Sequence, residues 1–221
     1  MTLCANLAPL GKSVRRKYTK TTTYTSSSTF YSNGSGTFEI TVRGGGGGCV
    51  TAAYAIVLPN EAHGAVRSDH SGGAGGKESG TIIDLPRGNY TITVGGGGAS
   101  NRDKIAVGYV AFDGNSGGTS SFIGGAIKIE AFGGGGGHAW AALKSQYNPW
   151  EQIMVYWLED GGSAGTSGKG SSTESGFTMT EGGGASGAST DAGQGSSGSV
   201  TIKQVSYEYI EGADSFEDEY Y

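Results

Sequence analysis

Three stretches of alternating apolar and polar residues each run directly into a series of glycines. In the first of them, Phe38, Ile40 and Val42 alternate with polar neighbours. A period of two is the pattern of a β-strand with one buried face. The sequence therefore predicts three strands, each continued by glycines, in a mainly β protein. The three junctions are 38–43 before glycines 44–48, 90–94 before glycines 95–98, and 127–132 before glycines 133–137.

Glycine makes up 44 of the 221 residues, whereas proline contributes only 4. An ordered glycine costs about 0.5–1 kcal/mol of backbone entropy relative to alanine, so an ordered structure must recover this loss elsewhere. The glycines either form flexible linkers or pack backbone to backbone in places where no Cβ fits. A linker gives no reason for an amphipathic strand before each series. The pattern therefore favours packing.

The tract 161–198 is almost entirely Gly, Ser, Ala and Thr, and Gly162, Gly165 and Gly168 recur at every third residue. Three residues per turn is the period of polyproline II, which has no internal hydrogen bonds. Backbone groups in that conformation must find partners on neighbouring segments. We expect packed polyglycine II helices here, with a flexible Gly/Ser linker as the alternative. A strand predicted over 200–210 places the tract inside the fold.

The segments between the glycine series have a different composition. They span 49–71, 99–116 and 138–160, and they contain most of the bulky residues of the central chain. We expect them to be long variable loops inserted into a glycine-rich scaffold. Loops held by a rigid scaffold are common sites of recognition.

The third of these loops contains all three tryptophans of the chain. Asn148 and Pro149 favour an irregular, exposed turn. Exposed aromatic rings supply a large contact area at low rotamer entropy. We expect Tyr156 or Trp157 to belong to a small local core instead. The candidate receptor-binding residues are Trp140, Tyr147 and Trp150, with Tyr54 and Tyr109 in the flanking loops.

The two ends of the chain carry opposite charge. Residues 1–20 contain basic and no acidic side chains, whereas residues 208–221 contain acidic and no basic ones. Such blocks are either solvated tails or docking segments. We predict an attachment segment at 1–20, a glycine-rich domain at 21–210 and an acidic tail at 211–221. The candidate attachment residues are Lys12, Arg15, Arg16 and Lys17.

Composition and motifs indicate no enzyme, cofactor or metal site. A formal net charge of −5 argues against a nucleic-acid partner. Gly161–Gly165 matches the G-x-S-x-G pattern, but no helix is predicted after it and no histidine follows Ser163. His63, Asp69 and His70 lack the spacing of metal ligands. Only two cysteines and no apolar run of about 18 residues are present, so we expect a reduced, cytosolic origin without membrane insertion.

The order of these motifs resembles the glycine-rich domain of tailed-phage tail fibre and adhesin proteins. The resemblance covers roughly residues 21–210, and its layout is similar to the distal tail adhesins of T-even-like phages. The first twenty residues match no family. The motifs that carry it are Thr37 to Gly48, Leu85 to Gly98, Gly117 to Phe122, Ala126 to Gly137 and Gly198 to Tyr209.

This resemblance implies a scaffold of packed polyglycine II helices whose variable segments form a receptor-binding tip. The strand sequences add a β-sandwich-like part. The chain would be a virion protein of the phage tail, made in the host cytoplasm. Its expected partners are a bacterial surface receptor, either glycan or outer-membrane protein, other tail or fibre proteins, and possibly copies of itself. The alternatives are a tail or capsid protein without receptor role, and an ice-binding or surface-matrix protein.

Overall fold

The computed structural model describes residues 14–57, 63–106, 110–189 and 194–210. These residues form sixteen strands, so the predicted mainly β class is confirmed. The part of the chain described contains no helix long and apolar enough to cross a bilayer. In chain order the strands are β1 (Val14–Tyr24), β2 (Ser28–Ser32), β3 (Thr37–Arg43), β4 (Val50–Val57), β5 (His63–His70), β6 (Lys77–Ile83), β7 (Gly88–Thr93), β8 (Asn101–Ala106), β9 (Val110–Asp113), β10 (Ser120–Gly124), β11 (Ile127–Ala131), β12 (His138–Asn148), β13 (Ile153–Ser163), β14 (Gly170–Ser172), β15 (Thr178–Thr180) and β16 (Ser199–Ile210).

The strands form two five-stranded and two three-stranded sheets. The five-stranded sheets have the orders β1-β16-β3-β6-β15 and β14-β11-β10-β7-β2, and we call them the base sheets. The three-stranded sheets have the orders β13-β12-β9 and β5-β4-β8, and we call them the head sheets. Neighbouring strands are antiparallel, except that β4 and β8 are parallel.

Eight extended segments connect these sheets, and we call them together the glycine layer. Each of the first six joins a base strand to a head strand, so the chain passes back and forth between the two pairs of sheets. The last two follow β15 and precede β16. The segments are 44–49, 71–76, 94–100, 114–119, 132–137, 164–169, 181–189 and 194–198.

Residues 44–48 lie at the centre of the glycine layer, and all ten of their backbone polar groups are hydrogen-bonded to other segments. Successive residues bond to different segments, whereas residues three positions apart bond to the same segment. In chain order the five N–H groups donate to the carbonyls of Gly76, Gly118, Ser196, Gly73 and Asn115, at 2.8 to 2.9 Å. The five carbonyls accept from the N–H groups of Ala185, Gly134, Gly98, Ala188 and Gly137, at 2.8 to 3.0 Å.

Six segments therefore surround the central one. Each is also hydrogen-bonded to its two neighbours in the ring, which closes the ring. Around the ring, the segments run alternately antiparallel and parallel to the central segment, as the order of their hydrogen-bonded residues shows. The eighth segment, 164–169, lies outside the ring and bonds to three of its members, which are 71–76, 132–137 and 181–189. In order around the ring, the segments are 71–76, 132–137, 114–119, 94–100, 194–198 and 181–189.

The central positions of the glycine layer have no room for a side chain. A Cβ added to any of residues 44–48 would overlap a backbone carbonyl oxygen of a neighbouring segment, which for Gly46 is that of Ser186. A backbone oxygen cannot rotate away as a side chain can. Gly96, on the outside of the layer, has no atom within 4 Å of the corresponding Cβ position. Glycine is therefore sterically required at the centre and optional at Gly96.

The main hydrophobic core lies between the base sheets and draws residues from both. Within it, the rings of Tyr90 and Phe122 stack with centroids 4.8 Å apart, and Phe30 packs against both. The described part of the head sheets has a much smaller cluster, made of Val50, Ala52, Ala139 and the partly buried Phe112. The buried members of the main core are Phe38, Ile40, Val42, Ile82, Leu85, Tyr90, Ile92, Phe122, Ile127, Ile129, Ala131, Val200 and Ile202.

The structure confirms the three strands predicted before the glycine series, which are β3, β7 and β11. The prediction of long loops over 49–71, 99–116 and 138–160 is wrong, because these segments contain the six strands of the head sheets. The apolar run that begins at Ala52 lies in β4, which is the central strand of its sheet and bonds on both sides. Backbone pairing therefore organises these segments despite their irregular composition.

The expected boundary between residues 20 and 21 falls within β1. This strand pairs continuously with β16, from Val14 opposite Ile210 to Tyr24 opposite Val200. Residues 14–20 are therefore part of a base sheet. The ladder also places Arg16 of the basic segment directly opposite Glu208 of the acidic one.

Glu78 in β6 is a buried carboxylic acid with 2% of its surface exposed. No hydrogen bond or ion pair joins its side chain to another described residue. Burial raises the pKa of the Glu78 carboxyl above its ordinary range. The folded protein thus retains a proton at pH values where the unfolded chain has already released it. The contribution of Glu78 to stability therefore falls as the pH rises from the ordinary pKa of this carboxyl towards its raised pKa in the folded protein.

The packing of the central glycines predicts that one added methyl group lowers the free energy of unfolding far more at Gly46 than at Gly96. Gly46→Ala should lower the free energy of unfolding by about 3 kcal/mol, because the methyl group overlaps a backbone oxygen and displaces hydrogen-bonded segments. Gly96→Ala should change it by less than about 0.5 kcal/mol. Thermal melts should show a midpoint lower by about 6–12 °C for Gly46→Ala only. Equal midpoints for the two variants would contradict a packed glycine layer.

Replacing Glu78 with a neutral residue of the same size should stabilise the protein. Glu78→Gln should raise the free energy of unfolding at pH 7, where the wild-type carboxyl must either lose its proton in a buried site or hold it at a cost. The gain should shrink as the pH falls towards 4. Urea titrations of both proteins between pH 4 and 8 measure this difference. A glutamine variant that is less stable than wild type at pH 7 would show that the buried carboxylate has a stabilising partner.

Candidate functional site

The longest strand pairing described in the head sheets is the hairpin of β12 and β13. The two strands pair along their whole length, from His138 opposite Ser163 to Asn148 opposite Ile153. Among the described residues, 138–141 of β12 also pair with β9, which begins at Val110. In the part of the chain that the structure describes, the outer end of the hairpin is a two-stranded ribbon.

Local hydrogen bonds hold the turn at the end of this ribbon. The backbone N–H of Trp150 donates to Oδ1 of Asn148 at 3.0 Å, and Nδ2 of Asn148 donates to Oε2 of Glu151 at 3.0 Å. Pro149 restricts the backbone between them. Gln152 closes the turn with a positive φ of 54°. The turn is thus a defined structure that presents the indole of Trp150 to solvent, with 93% of its surface exposed.

One face of the ribbon and its turn enclose a concavity of about 360 Å³. The register places Gln146 opposite Val155 and Lys144 opposite Trp157, and directly opposed residues point to the same face. We call residues 146–157 the hairpin tip. The residues that line the concavity are Gln146, Tyr147, Asn148, Pro149, Trp150, Val155 and Trp157.

The hairpin tip carries a concentration of exposed hydrophobic side chains. Five of them lie within the eleven residues 147–157, which is unusual for solvent-exposed strands. Tyr147 is 53% exposed and Trp157 is 38% exposed. The pair Tyr147 and Met154 lies on one face of the ribbon and Val155 lies on the other, so both faces of the tip are apolar. Exposed apolar side chains concentrated in one place are typical of an interaction site. The five exposed residues are Tyr147, Trp150, Met154, Val155 and Trp157.

Charged groups surround this surface without forming a catalytic arrangement. Nε1 of Trp157 donates to Oε1 of Glu159 at 2.9 Å, which fixes the edge of the ring and leaves its face available. Nζ of Lys144 lies 3.9 Å from Oε2 of Glu159. Together with Glu151 in the turn, these side chains give the surroundings of the concavity a net negative charge.

Of the residues predicted to bind a receptor, the structure brings Tyr147 and Trp150 together at the hairpin tip. Trp140 lies ten residues from Trp150, near the base of the ribbon, which corresponds to about 33 Å of extended chain. It is half-buried, and its indole ring covers Gly161 on the opposite strand. Trp140 is therefore separate from the exposed turn, and its binding role stays a prediction.

The flanking candidates are less well defined. Tyr54 lies in β4, opposite Val66 of β5, in the other head sheet. Tyr109 lies outside the described residues. The three glycine series that precede the head strands run parallel, so the two head sheets emerge at the same end of the glycine layer. Binding roles for these two tyrosines stay predictions.

Three residues that line the concavity, Gln146, Val155 and Trp157, were not predicted to bind a receptor. Tyr156 or Trp157 was expected in a local core, but Trp157 faces the same side of the ribbon as Val155 and Gln146. Tyr156, on the opposite face, is half-buried. Residues 153–158 are all apolar, so no period-two alternation in the sequence distinguishes the two faces.

Three of the four candidate attachment residues lie in the base. Arg15, Arg16 and Lys17 lie in β1 and face Tyr209, Glu208 and Tyr207 across the ladder. Lys17 is exposed. Lys12 lies outside the described residues. These positions are on an edge strand of a base sheet, at the opposite end of the glycine layer from the hairpin tip.

Polar clusters elsewhere in the described chain are local contacts. Asp69 accepts hydrogen bonds from Thr51 at 2.6 Å and from Arg67 at 2.8 Å. His138 contacts Asp113 at 2.7 Å, between β12 and β9. Within the described ranges no group of three His, Cys, Asp or Glu side chains is arranged to hold a metal ion. The hairpin tip is therefore the strongest candidate for a functional site.

Comparison with known proteins adds no further assignment, since no protein-family model and no curated protein matches this chain.

Proposed function

We propose that the glycine layer is an array of polyglycine II helices packed hexagonally around residues 44–48. The recurrence of hydrogen-bond partners after three residues supports this, because polyproline II has three residues per turn. The closed ring of six neighbours also supports it. The absence of Cβ atoms allows the close Cα–H···O contacts that accompany such packing. In this proposal the base sheets form a β-sandwich-like unit around their shared core.

We further propose that the protein is a phage tail adhesin that binds a bacterial surface receptor through the hairpin tip. The observation that carries this proposal is the position of the exposed aromatic side chains. Trp150, Tyr147 and Trp157 gather at the outer end of a hairpin on the head, away from the base sheets. The two exposed tryptophans of this glycine-rich chain, Trp150 and Trp157, both lie in the hairpin tip.

The energetics of recognition favour such an arrangement. Trp and Tyr dominate the binding energy of many interfaces, since they bury a large area and have few rotatable bonds. The hydrogen-bonded turn holds Trp150 before contact, which reduces the entropy lost on binding. The glycine layer supports the hairpin with a rigid connection to the base. A preorganised tip on a rigid scaffold suits the capture of a cell surface.

The base is the natural place for attachment to other tail or fibre proteins. Strand β1 lies at the edge of its sheet and carries the basic residues Arg15, Arg16 and Lys17. A partner strand or an acidic surface could dock there. Such attachment would leave the hairpin tip directed away from the particle.

A structural virion protein without receptor role is the alternative. It would use the same scaffold but would have no need of an exposed aromatic tip. Gold-labelled antibody on virions separates the two functions. Label at the end of the tail supports the adhesin, and label confined to the capsid contradicts it.

The receptor-binding proposal predicts a specific loss in one variant. Trp150→Ala should weaken binding of the purified protein to host cells at least tenfold, about 1.4 kcal/mol. Its melting midpoint should stay unchanged because the side chain is almost fully exposed. Tyr18→Ala is the matched control, since Tyr18 is an exposed ring, at 60%, on the base. Undiminished cell binding by folded Trp150→Ala would remove the receptor site from the hairpin tip.

A further inference from the structure

The concavity at the hairpin tip has the size of a site for a small ligand. Its volume of about 360 Å³ lies within the range of roughly 300–1,000 Å³ found for small-molecule sites. The ribbon that bears it is only two strands wide, and neighbouring strands lie about 4.8 Å apart. A standard protein interface needs about 800 Å² from each partner. The tip alone is too narrow to supply a flat interface of that area.

The side chains of the concavity combine flat aromatic surface with an amide. The indoles of Trp150 and Trp157 provide exposed ring area at its two sides. The N–H of Trp157 is bound to Glu159, so its ring contacts a ligand through the face. The exposed amide of Gln146 forms no hydrogen bond to another described residue, and an amide offers both donors and an acceptor. Such a site matches a ligand with an apolar face and hydroxyl groups at its edge.

The charged side chains around the concavity restrict the charge that a ligand can carry. The carboxylates of Glu151 and Glu159 outnumber the single ammonium of Lys144. A phosphate or a carboxylate on the ligand would meet repulsion at this rim. An uncharged ligand meets none, and hydroxyl groups can donate hydrogen bonds to the carboxylates.

We propose that the hairpin tip binds a neutral saccharide ring, which stacks on Trp150 and Trp157 and bonds through its hydroxyls to Gln146. A pyranose presents an apolar face of C–H groups and a polar edge of hydroxyls, which is the complement of this surface. The inference rests on the proposed receptor-binding function and specifies its ligand as the glycan of the bacterial surface. A surface protein as receptor is the competing outcome.

Periodate treatment of host cells tests this inference. Periodate cleaves the vicinal diols of sugars, so oxidised cells should bind the wild-type protein at least tenfold less than untreated cells. Cells treated with a broad protease should bind it as well as untreated cells do. Full binding to periodate-treated cells would overturn the saccharide proposal, and so would loss of binding that follows protease treatment alone.

Substitutions at the stacking position provide the second arm. Polysaccharide extracted from the same cells should quench the tryptophan fluorescence of the wild-type protein and compete with its binding to cells. Trp150→Phe, which keeps a smaller ring, should retain more affinity for the polysaccharide than Trp150→Ala. Polysaccharide that neither binds nor competes would overturn the proposal.

The two proposals fail in different ways. Cell binding that depends on Trp150 but survives periodate refutes the saccharide and leaves the adhesin. Cell binding that does not depend on Trp150 refutes both at this site.

Discussion

The hydrogen bonding of residues 44–48 is the constraint on which the rest of the structure depends. A buried backbone amide or carbonyl must find a partner, and these five residues have no partners among themselves. Six other segments supply them. Four of these join a base strand to a head strand, and the other two directly follow β15 and directly precede β16. A β-strand bonds to two neighbours, whereas a segment whose partners rotate with each residue can bond to six. This difference allows a three-dimensional array instead of a sheet.

Glycine makes this arrangement possible for a steric reason. Neighbouring segments approach so closely that a methyl group at the centre would overlap a carbonyl oxygen. The entropy lost by ordering each glycine, about 0.5–1 kcal/mol, is offset by backbone hydrogen bonds and close contacts. Stability therefore does not require a large hydrophobic core throughout. In the part of the head sheets that the structure describes, the hydrophobic cluster contains only Val50, Ala52, Ala139 and the partly buried Phe112.

In the proposed function, this division leaves the head available for recognition. Large apolar side chains that would stabilise an ordinary domain from inside are instead exposed at the hairpin tip, with Trp150 as the extreme case. Changes there should affect binding more than folding, because the turn is held by its own hydrogen bonds through Asn148. The base, with its separate aromatic core around Phe30 and Phe122, would stay unchanged.

The sequence alone predicts part of this structure. Alternation around Phe38, Ile40 and Val42 predicts β3, and the three-residue period of Gly162, Gly165 and Gly168 indicates backbone packing. The arrangement of neighbours could not be predicted, because glycine has no side chain whose pattern selects a partner. The strands to which each glycine segment is connected determine which segments become its neighbours.

The head shows a second limit of sequence analysis. Its segments were predicted as loops, since strand pairing such as the parallel pairing of β4 with β8 depends on contacts distant in sequence. The exposed turn at Trp150 was recognised from Asn148 and Pro149. The concavity was not, because it requires the register that places Val155 opposite Gln146.

Amide hydrogen exchange at residues 44–48 tests the central claim most directly. If these N–H groups are bonded as described, they can exchange only when the glycine layer opens as a whole. They should then belong to the slowest class in the protein, together with core strand β3, while the N–H of exposed Gly96 exchanges rapidly. Exchange of residues 44–48 as fast as that of Gly96 would contradict the account.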